Sequence, residues 1–168
     1  TYDKFIDGDQ KLEYLSVQAA YRDFVGQLWI GTNNGLFQFN EGELERVRLE
    51  FEQFGSFEVF TIIESEKGEL LIGTYGDGVY IMREGVTTKL ELPDFVDKVN
   101  YLYKDSNSSI WICHQNGVMR YHNGEFSNLT TEEGLSENAV EEVIEDAEGS
   151  LWITTYYGGI DRLRDGIF

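Results

Sequence analysis

The sequence is poor in residues that crosslink a chain, kink it or give it positive charge. It has one cysteine, one proline and 13 Lys plus Arg against 31 Asp plus Glu. A single cysteine excludes an intrachain disulfide. The formal net charge of −18 would repel nucleic-acid phosphates and anionic lipid, so we expect no nucleic-acid partner. No apolar run approaches the roughly 20 residues that span a bilayer, and no signal peptide opens the chain. The sequence starts abruptly in a strand-like segment, Thr1 to Phe5, so we interpret the chain as an excised part of a longer protein.

Residues that carry catalysis are equally scarce. The only histidines are His114 and His122. Cys113 precedes His114 directly, and neighbours on a strand point to opposite faces, so the two form a poor nucleophile–base pair. No Gly-x-Ser-x-Gly elbow, phosphate-binding glycine loop or metal-ligand spacing is present. We therefore predict a chain that is not an enzyme and that binds no cofactor or metal ion.

One apolar stretch, by contrast, occurs four times. The copies are Leu28–Thr32, Leu70–Thr74, Ile110–His114 and Leu151–Thr155. Their second residues, Trp29, Leu71, Trp111 and Trp152, follow one another at steps of 42, 40 and 41 residues. A period near 40 with one short apolar strand per copy is typical of a β-propeller.

Each copy divides into four short strands joined by turns. In the third copy we predict them at 99–104, 110–113, 118–121 and 125–129, with a connector over 130–138. The prediction is an all-β chain, a β-propeller of four-stranded antiparallel blades with four repeats over residues 1–168. Its second strands should lie near 28–32, 70–74, 110–114 and 151–155, with Trp29, Trp111 and Trp152 largely buried between blades.

The two ends of the chain are complementary. The fourth copy lacks an outer strand, while the strand-like segment at residues 1–7 belongs to no copy. We predict that residues 2–6 pair beside 160–163, in the same chain or in a partner chain, because an open edge would invite aggregation.

The repeat resembles the two-component regulator propeller family. The match rests on Val17 to Asp23, Leu28–Thr32, Gly35 to Phe39, the third strands at 117–121 and 159–163, and the connector Gly134 to Val140. The resemblance implies a periplasmic sensor domain of a membrane-anchored bacterial signalling protein, often a histidine kinase or a diguanylate cyclase. Family propellers usually have seven blades. Four repeats leave open a fragment, half of an eight-bladed homodimeric ring, or four blades that close alone.

Ligand binding is expected at the turns between second and third strands, which share one face with the connectors. Their candidate residues are Asn33, Asn34, Tyr75, Asp77, His114, Gln115, Tyr156 and Tyr157. Aromatic rings with amides and carboxylates suit a carbohydrate or another small ligand. The structural alternative is that the polar residues only form turns and the tyrosines pack between blades.

Three other functions compete with a sensor. One is an enzyme of the streptogramin-lyase type, which has a similar repeat but would need a histidine base over the channel. The second is a pyrroloquinoline-quinone propeller, suggested by a similar docking pattern and weakened by the lack of a metal cluster. The third is a scaffold used only for protein interaction or dimerisation.

Overall fold

The computed structural model of the chain describes residues 6–7, 10–11, 15–47, 58–66 and 68–166. Every regular element in those ranges is a β-strand. The same ranges contain no helix long and apolar enough to cross a membrane. Consecutive strands pair antiparallel and form separate small sheets, which are the blades. The predicted all-β propeller architecture is therefore confirmed.

A short hairpin of β1 (Ile6–Asp7) and β2 (Gln10–Lys11) precedes the blades. Blade 1 comprises β3 (Val17–Arg22), β4 (Leu28–Thr32), β5 (Gly35–Asn40) and β6 (Glu43–Arg46). Blade 2 comprises β7 (Glu58–Glu64), β8 (Leu70–Tyr75), β9 (Val79–Arg83) and β10 (Val86–Lys89). Blade 3 comprises β11 (Val99–Lys104), β12 (Ile110–His114), β13 (Gly117–His122) and β14 (Glu125–Leu129). Blade 4 has three strands in the described ranges: β15 (Val140–Glu145), β16 (Leu151–Thr155) and β17 (Gly159–Leu163).

The four second strands begin at the residues that the repeat predicts.

The turns that follow the third strands share one backbone geometry. Each of these turns has two successive residues at positive φ, the geometry of the type I′ hairpin turn. The pairs are Glu41 with Gly42, Glu84 with Gly85, Asn123 with Gly124 and Asp165 with Gly166. This turn matches the right-handed twist of the flanking strands, so it keeps the outer hairpins tight.

Every first strand carries the same irregularity. The register to the second strand shifts by one residue between Val17 and Ala19, Val59 and Thr61, Val99 and Tyr101, and Val140 and Glu142. A bulge of this kind re-aims the extra side chain and increases the local twist. The extra residues are Gln18, Phe60, Asn100 and Glu141.

The blades stack face to face, and three apolar clusters form the core between them. Each cluster combines residues from two neighbouring blades. Between blades 1 and 2 it includes Tyr21 and Trp29 with Leu70 and Met82. Between blades 2 and 3 it includes Ile63, Leu71 and Ile81 with Ile110 and Tyr121. Between blades 3 and 4 it includes Tyr103 and Trp111 with Leu151 and Leu163.

The glycine in the repeated stretch has a packing reason. A Cβ atom on Gly73 would lie 2.5 Å from Thr61 Cγ2 and 2.8 Å from Val99 Cγ1, which belongs to the next blade. Blades 2 and 3 approach so closely here that Leu102 N donates a hydrogen bond to Thr61 Oγ1 at 3.2 Å. The motif glycine therefore marks a site of close contact between blades.

The prediction of buried tryptophans holds in full only for Trp111, which is 3% exposed. Trp29 and Trp152 are half-buried. Trp152 lies on the outer face of blade 4, where the described residues supply no further blade. Trp29 pairs with Gln38, whereas the Arg120 guanidinium lies over the Trp111 ring at 5.6 Å from its centroid.

The predicted closing strand falls mostly outside the described residues. Tyr2 to Phe5 are among the residues not described, and Ile6 pairs with Lys11 rather than with β17. Pairing of the N-terminal strand with blade 4 of the same chain or of a partner therefore stays a prediction.

Candidate functional site

The turns between second and third strands, together with the connectors, form one edge of the molecule, which we call the connector face. The turns between first and second strands and between third and fourth strands form the opposite edge, the hairpin face. This division follows from antiparallel alternation within each blade. The sequence-predicted site residues all belong to the connector face.

Tyr75 is the centre of a small cluster on that face. Its ring stacks on Phe60, with centroids 5.0 Å apart and planes inclined by 24°. Lys98 Nζ lies 5.3 Å from the centroid of the Tyr75 ring. Gln115 Nε2, from blade 3, donates to the Tyr75 hydroxyl at 3.3 Å. We call Phe60, Tyr75, Lys98 and Gln115 the Tyr75 cluster.

The backbone holds this cluster in place. Phe60 is the extra residue of the bulge in β7, which explains why it faces Tyr75 at the end of β8. An isolated antiparallel bridge joins Tyr75 to Lys98. The neighbouring carbonyl of Asp97 accepts hydrogen bonds from Gly76 N at 3.0 Å and Gly78 N at 2.8 Å. The connector to blade 3 is therefore fastened to the turn of blade 2, and Tyr75 stays 36% exposed at the junction.

His114 stands where the other three repeats have a threonine, and its side chain lies in the interior. In the other blades a hydroxyl closes the same turn onto a glycine carbonyl: Thr32 to Gly35, Thr74 to Gly78 and Thr155 to Gly159. His114 is fully buried; Asn116 N donates to its Nδ1 at 3.2 Å, and its Nε2 donates to Asn128 Oδ1 at 3.1 Å.

Burial lowers the pKa of His114, so the ring is held neutral. A neutral, enclosed imidazole with both nitrogens bonded cannot contact a ligand at the surface. We therefore propose no ligand contact for His114.

Three other predicted residues are engaged in local structure. Asp77 accepts hydrogen bonds from the Tyr80 hydroxyl and the Lys89 ammonium, and burial together with Asp77 raises the pKa of Tyr80. Asn33 is bonded to Ser16 through both its Oδ1 and its backbone N, at 2.9 and 3.0 Å. Asn34 N donates to Thr32 Oγ1 at 3.0 Å. These contacts support the turn-forming alternative for Asp77 and Asn33.

Tyr156 and Tyr157 form a separate and more exposed pair, at 62% and 85% exposure. Their rings meet edge to face at 4.5 Å between centroids. The Glu137 carboxylate fixes the turn by accepting hydrogen bonds from Tyr157 N and Gly158 N. Tyr156 occupies in blade 4 the position that Tyr75 occupies in blade 2. Tyr75 is covered by Gln115 of the following blade, and the described residues include no blade that could cover Tyr156.

The structure thus brings Tyr75 and Gln115 into contact, and in the described residues no side-chain hydrogen bond or ring contact joins them to the other candidates. Sequence reasoning missed Phe60 and Lys98. The bulge in β7 could not be read from the sequence, and Lys98 precedes β11 without any motif around it. Cys113 lies in the core, where burial raises its pKa well above the usual value. No group of three or more His, Cys, Asp or Glu in the described ranges could hold a metal ion.

Solved structures share this fold, although no protein-family model and no curated protein sequence matches the chain. The extracellular domain of a putative one component system from B. thetaiotaomicron superposes with a TM-score of 0.80 at 22% identity, over 96% of this chain and 22% of that one. The extracellular domain of a putative hybrid two component system from B. thetaiotaomicron gives 0.76 at 24% identity, over 94% and 22%.

A third similar structure is an enzyme. A catalytically inactive variant of virginiamycin B lyase from Staphylococcus aureus, with quinupristin, gives a TM-score of 0.71 at 15% identity, over 90% of this chain and 53% of that one. The chain therefore spans about a fifth of the two extracellular domains and about half of the lyase. At these identities the likeness shows the fold, a β-propeller architecture, and no more.

Proposed function

We propose that the chain is a non-catalytic, ligand-binding segment of an extracytoplasmic sensory propeller in a bacterial signal-transduction protein. The repeat motifs resemble those of periplasmic two-component regulator propellers, and the fold is similar to extracellular domains of one- and two-component systems. In this proposal the whole protein is anchored in the inner membrane, and the output domain is a histidine kinase or cyclase.

The observation that carries the proposal is the Tyr75 cluster. A stacked aromatic pair, an ammonium and an amide from two blades meet at a partly exposed position. Aromatic rings stack against sugar rings, while amides and ammonium groups bind hydroxyl or carboxylate oxygens. We infer a carbohydrate or an oxygen-rich small molecule as the ligand. Because the cluster joins two blades, binding there would alter contacts between blades and so could reach an output domain.

The lyase alternative has less support. It rests on the fold likeness to virginiamycin B lyase, and it needs a histidine that can act as a base on the connector face. His114 is the histidine placed there by the sequence, and it is buried, neutral and hydrogen-bonded at both nitrogens.

The test is calorimetric titration of the chain with a panel of neutral and acidic oligosaccharides. Tyr75→Ala should abolish binding of any oligosaccharide that the unmodified chain binds, and Gln115→Ala should weaken it. Tyr156→Ala is the matched control, because it removes the same ring from the equivalent position in blade 4. Binding that is lost in Tyr156→Ala and kept in Tyr75→Ala would contradict the proposed site.

We also propose that blade 4 contacts a further blade, from the longer protein or from a second copy in a homodimeric ring. Ile144 pairs with Trp152, and Ile160 pairs with Thr154 on the same face. In blade 3 the equivalent face is buried against blade 4, whereas Ile144 and Ile160 are 56% and 59% exposed. A native-mass measurement of the chain distinguishes monomer from dimer, and Ile144→Glu should disrupt the dimer.

A further inference from the structure

A groove of about 400 Å³ opens on the hairpin face between blades 2 and 3. Its floor consists of Leu71 and Ile81 from blade 2 and Ile110 from blade 3. Tyr121, whose ring stacks on Phe126 at 4.7 Å between centroids, forms one wall. The groove lies on the opposite edge from the Tyr75 cluster and belongs to no site described above.

The groove lies where the other blades place a tryptophan. In blades 1, 3 and 4 an indole N–H donates to the carboxylate six residues earlier: Trp29 to Asp23, Trp111 to Asp105 and Trp152 to Asp146, at 2.7–2.9 Å. In blade 2 these two positions are Leu71 and Ser65. The arginine that lies over the indole in blades 3 and 4 is Ile81 in blade 2. Blade 2 therefore lacks the indole ring, the carboxylate that accepts a hydrogen bond from the indole N–H, and the arginine that lies over the ring.

The rim of the groove carries both signs of charge. Glu66 lies on the blade 2 side, where it accepts a hydrogen bond from the Ser108 hydroxyl. Lys104 lies on the blade 3 side, and in the described part of the chain no carboxylate is within ion-pair distance of it. Glu69, a third charged residue of the rim, is already paired with Arg83. An ammonium and a carboxylate on one ligand would match Glu66 and Lys104.

We propose that this groove binds an aromatic α-amino acid, or a small molecule with the same combination of ring, ammonium and carboxylate. The ring takes the space that an indole fills in the other blades, over Leu71 and Ile81 and beside Tyr121. The ammonium faces Glu66 and the carboxylate faces Lys104. Apolar burial supplies affinity, and the two charges supply orientation.

The test uses calorimetric titration of the whole chain with L-tryptophan. L-Alanine, which has the same charges and no ring, should bind at least about tenfold more weakly, because it loses the burial of the ring. Leu71→Trp should remove L-tryptophan binding, since the new side chain would occupy the groove. Lys104→Gln should weaken L-tryptophan and leave tryptamine, which has no carboxylate, unaffected.

Two further comparisons complete the test. If Leu71→Trp does not fold, the comparison of L-tryptophan with tryptamine on Lys104→Gln decides alone. Tyr75→Ala should leave L-tryptophan binding unchanged, because Tyr75 lies on the opposite face. A negative result for the groove can therefore be told apart from a negative result for the Tyr75 cluster. Equal affinity for L-alanine and L-tryptophan, no saturable binding of L-tryptophan, or loss of its binding in Tyr75→Ala would overturn the proposal.

Discussion

The packing between blades 3 and 4 differs sharply from the packing between blades 2 and 3, although both use the same strands in the same register. Between blades 3 and 4, the buried Trp111 ring contacts the next blade, its N–H is bonded to Asp105 at 2.8 Å, and Arg120 lies over its face. Between blades 2 and 3, Leu71 contributes to the core, and the large ring comes from the other side, as Tyr121. An indole N–H that is buried without an acceptor is costly, so the ring and its carboxylate are present or absent together.

A second kind of contact is present between blades 1 and 2 and between blades 3 and 4, and among the described residues it is absent between blades 2 and 3. Glu64 and Glu145, each the last residue of a first strand, accept backbone hydrogen bonds from the turn of the preceding blade: from Phe24 N at 2.9 Å and Ser106 N at 2.7 Å. Blade 3 has Lys104 at this position, which cannot accept such a bond. The boundary between blades 2 and 3 thus lacks both of these contacts and has a groove instead, so the blades of one chain keep the same fold with different contacts at their boundaries.

The largest expected effect is on the packing between blades 3 and 4. Trp111→Ala should lower the free energy of unfolding by about 3–5 kcal/mol, because a large buried ring leaves a cavity. Trp152→Ala, at the half-buried position in blade 4, should cost clearly less. Urea unfolding of both variants checks the difference. Equal losses, or an unchanged melting temperature in Trp111→Ala, would contradict the burial seen here.

Removing the acceptor should cost somewhat less than removing the ring. Asp105→Ala leaves Trp111 Nε1 and Ser109 N without the carboxylate oxygens that they reach at 2.8 Å. We expect a loss of about 1–3 kcal/mol, the cost of a buried donor without a partner. Ser65→Ala, the same position in blade 2, is the control and should cost less. Thermal unfolding of the two variants decides whether the carboxylate matters only where an indole is present.

The difference between the two boundaries can also be reversed. The double variant Leu71→Trp with Ser65→Asp rebuilds the indole–carboxylate pair in blade 2 and fills the groove. We expect a gain of about 0.5–2 kcal/mol, the usual range for filling a cavity. Leu71→Trp alone should gain less, because its N–H lacks the carboxylate. A double variant that is less stable than Leu71→Trp would show that blade 2 cannot accommodate this pair.

The smallest expected effect is a pH dependence in blade 3. Because burial lowers the pKa of His114, the unfolded chain takes up a proton below pH 6.5 where the folded chain does not. The contribution of His114 to stability is therefore complete above pH 6.5 and declines as the pH falls towards the folded pKa. His114→Thr, which restores the residue of the other blades, should remove this part of the decline. Unfolding curves at pH 7.5 and 5.5 measure it, and equal pH dependence in both proteins would contradict the assignment.

The repeat was readable from the sequence because its cause is local. Strand boundaries follow from short apolar runs between turn residues, so the second strands begin where the pattern places them, at Leu28, Leu70, Ile110 and Leu151. The candidate site was readable only in part. Tyr75 and Gln115 were expected on one face, but Phe60 and Lys98 were not, and His114 proved to be interior.

The sequence by itself determined the class of fold, the four blade-like repeats and the face on which turns and connectors gather. Strands and turns depend on residues a few positions apart, and the repeats show as a period near 40 residues. The tertiary structure alone decided which side chains meet. Gln115 reaches Tyr75 across 40 residues of chain, and Phe24 N reaches Glu64 across the same separation. Such contacts depend on how closely two blades stack and where each first strand bulges, and neither quantity is encoded in a short stretch of residues. The groove beside Leu71 has the same origin: the missing tryptophan is visible in the sequence, but the space it leaves is a property of two packed blades.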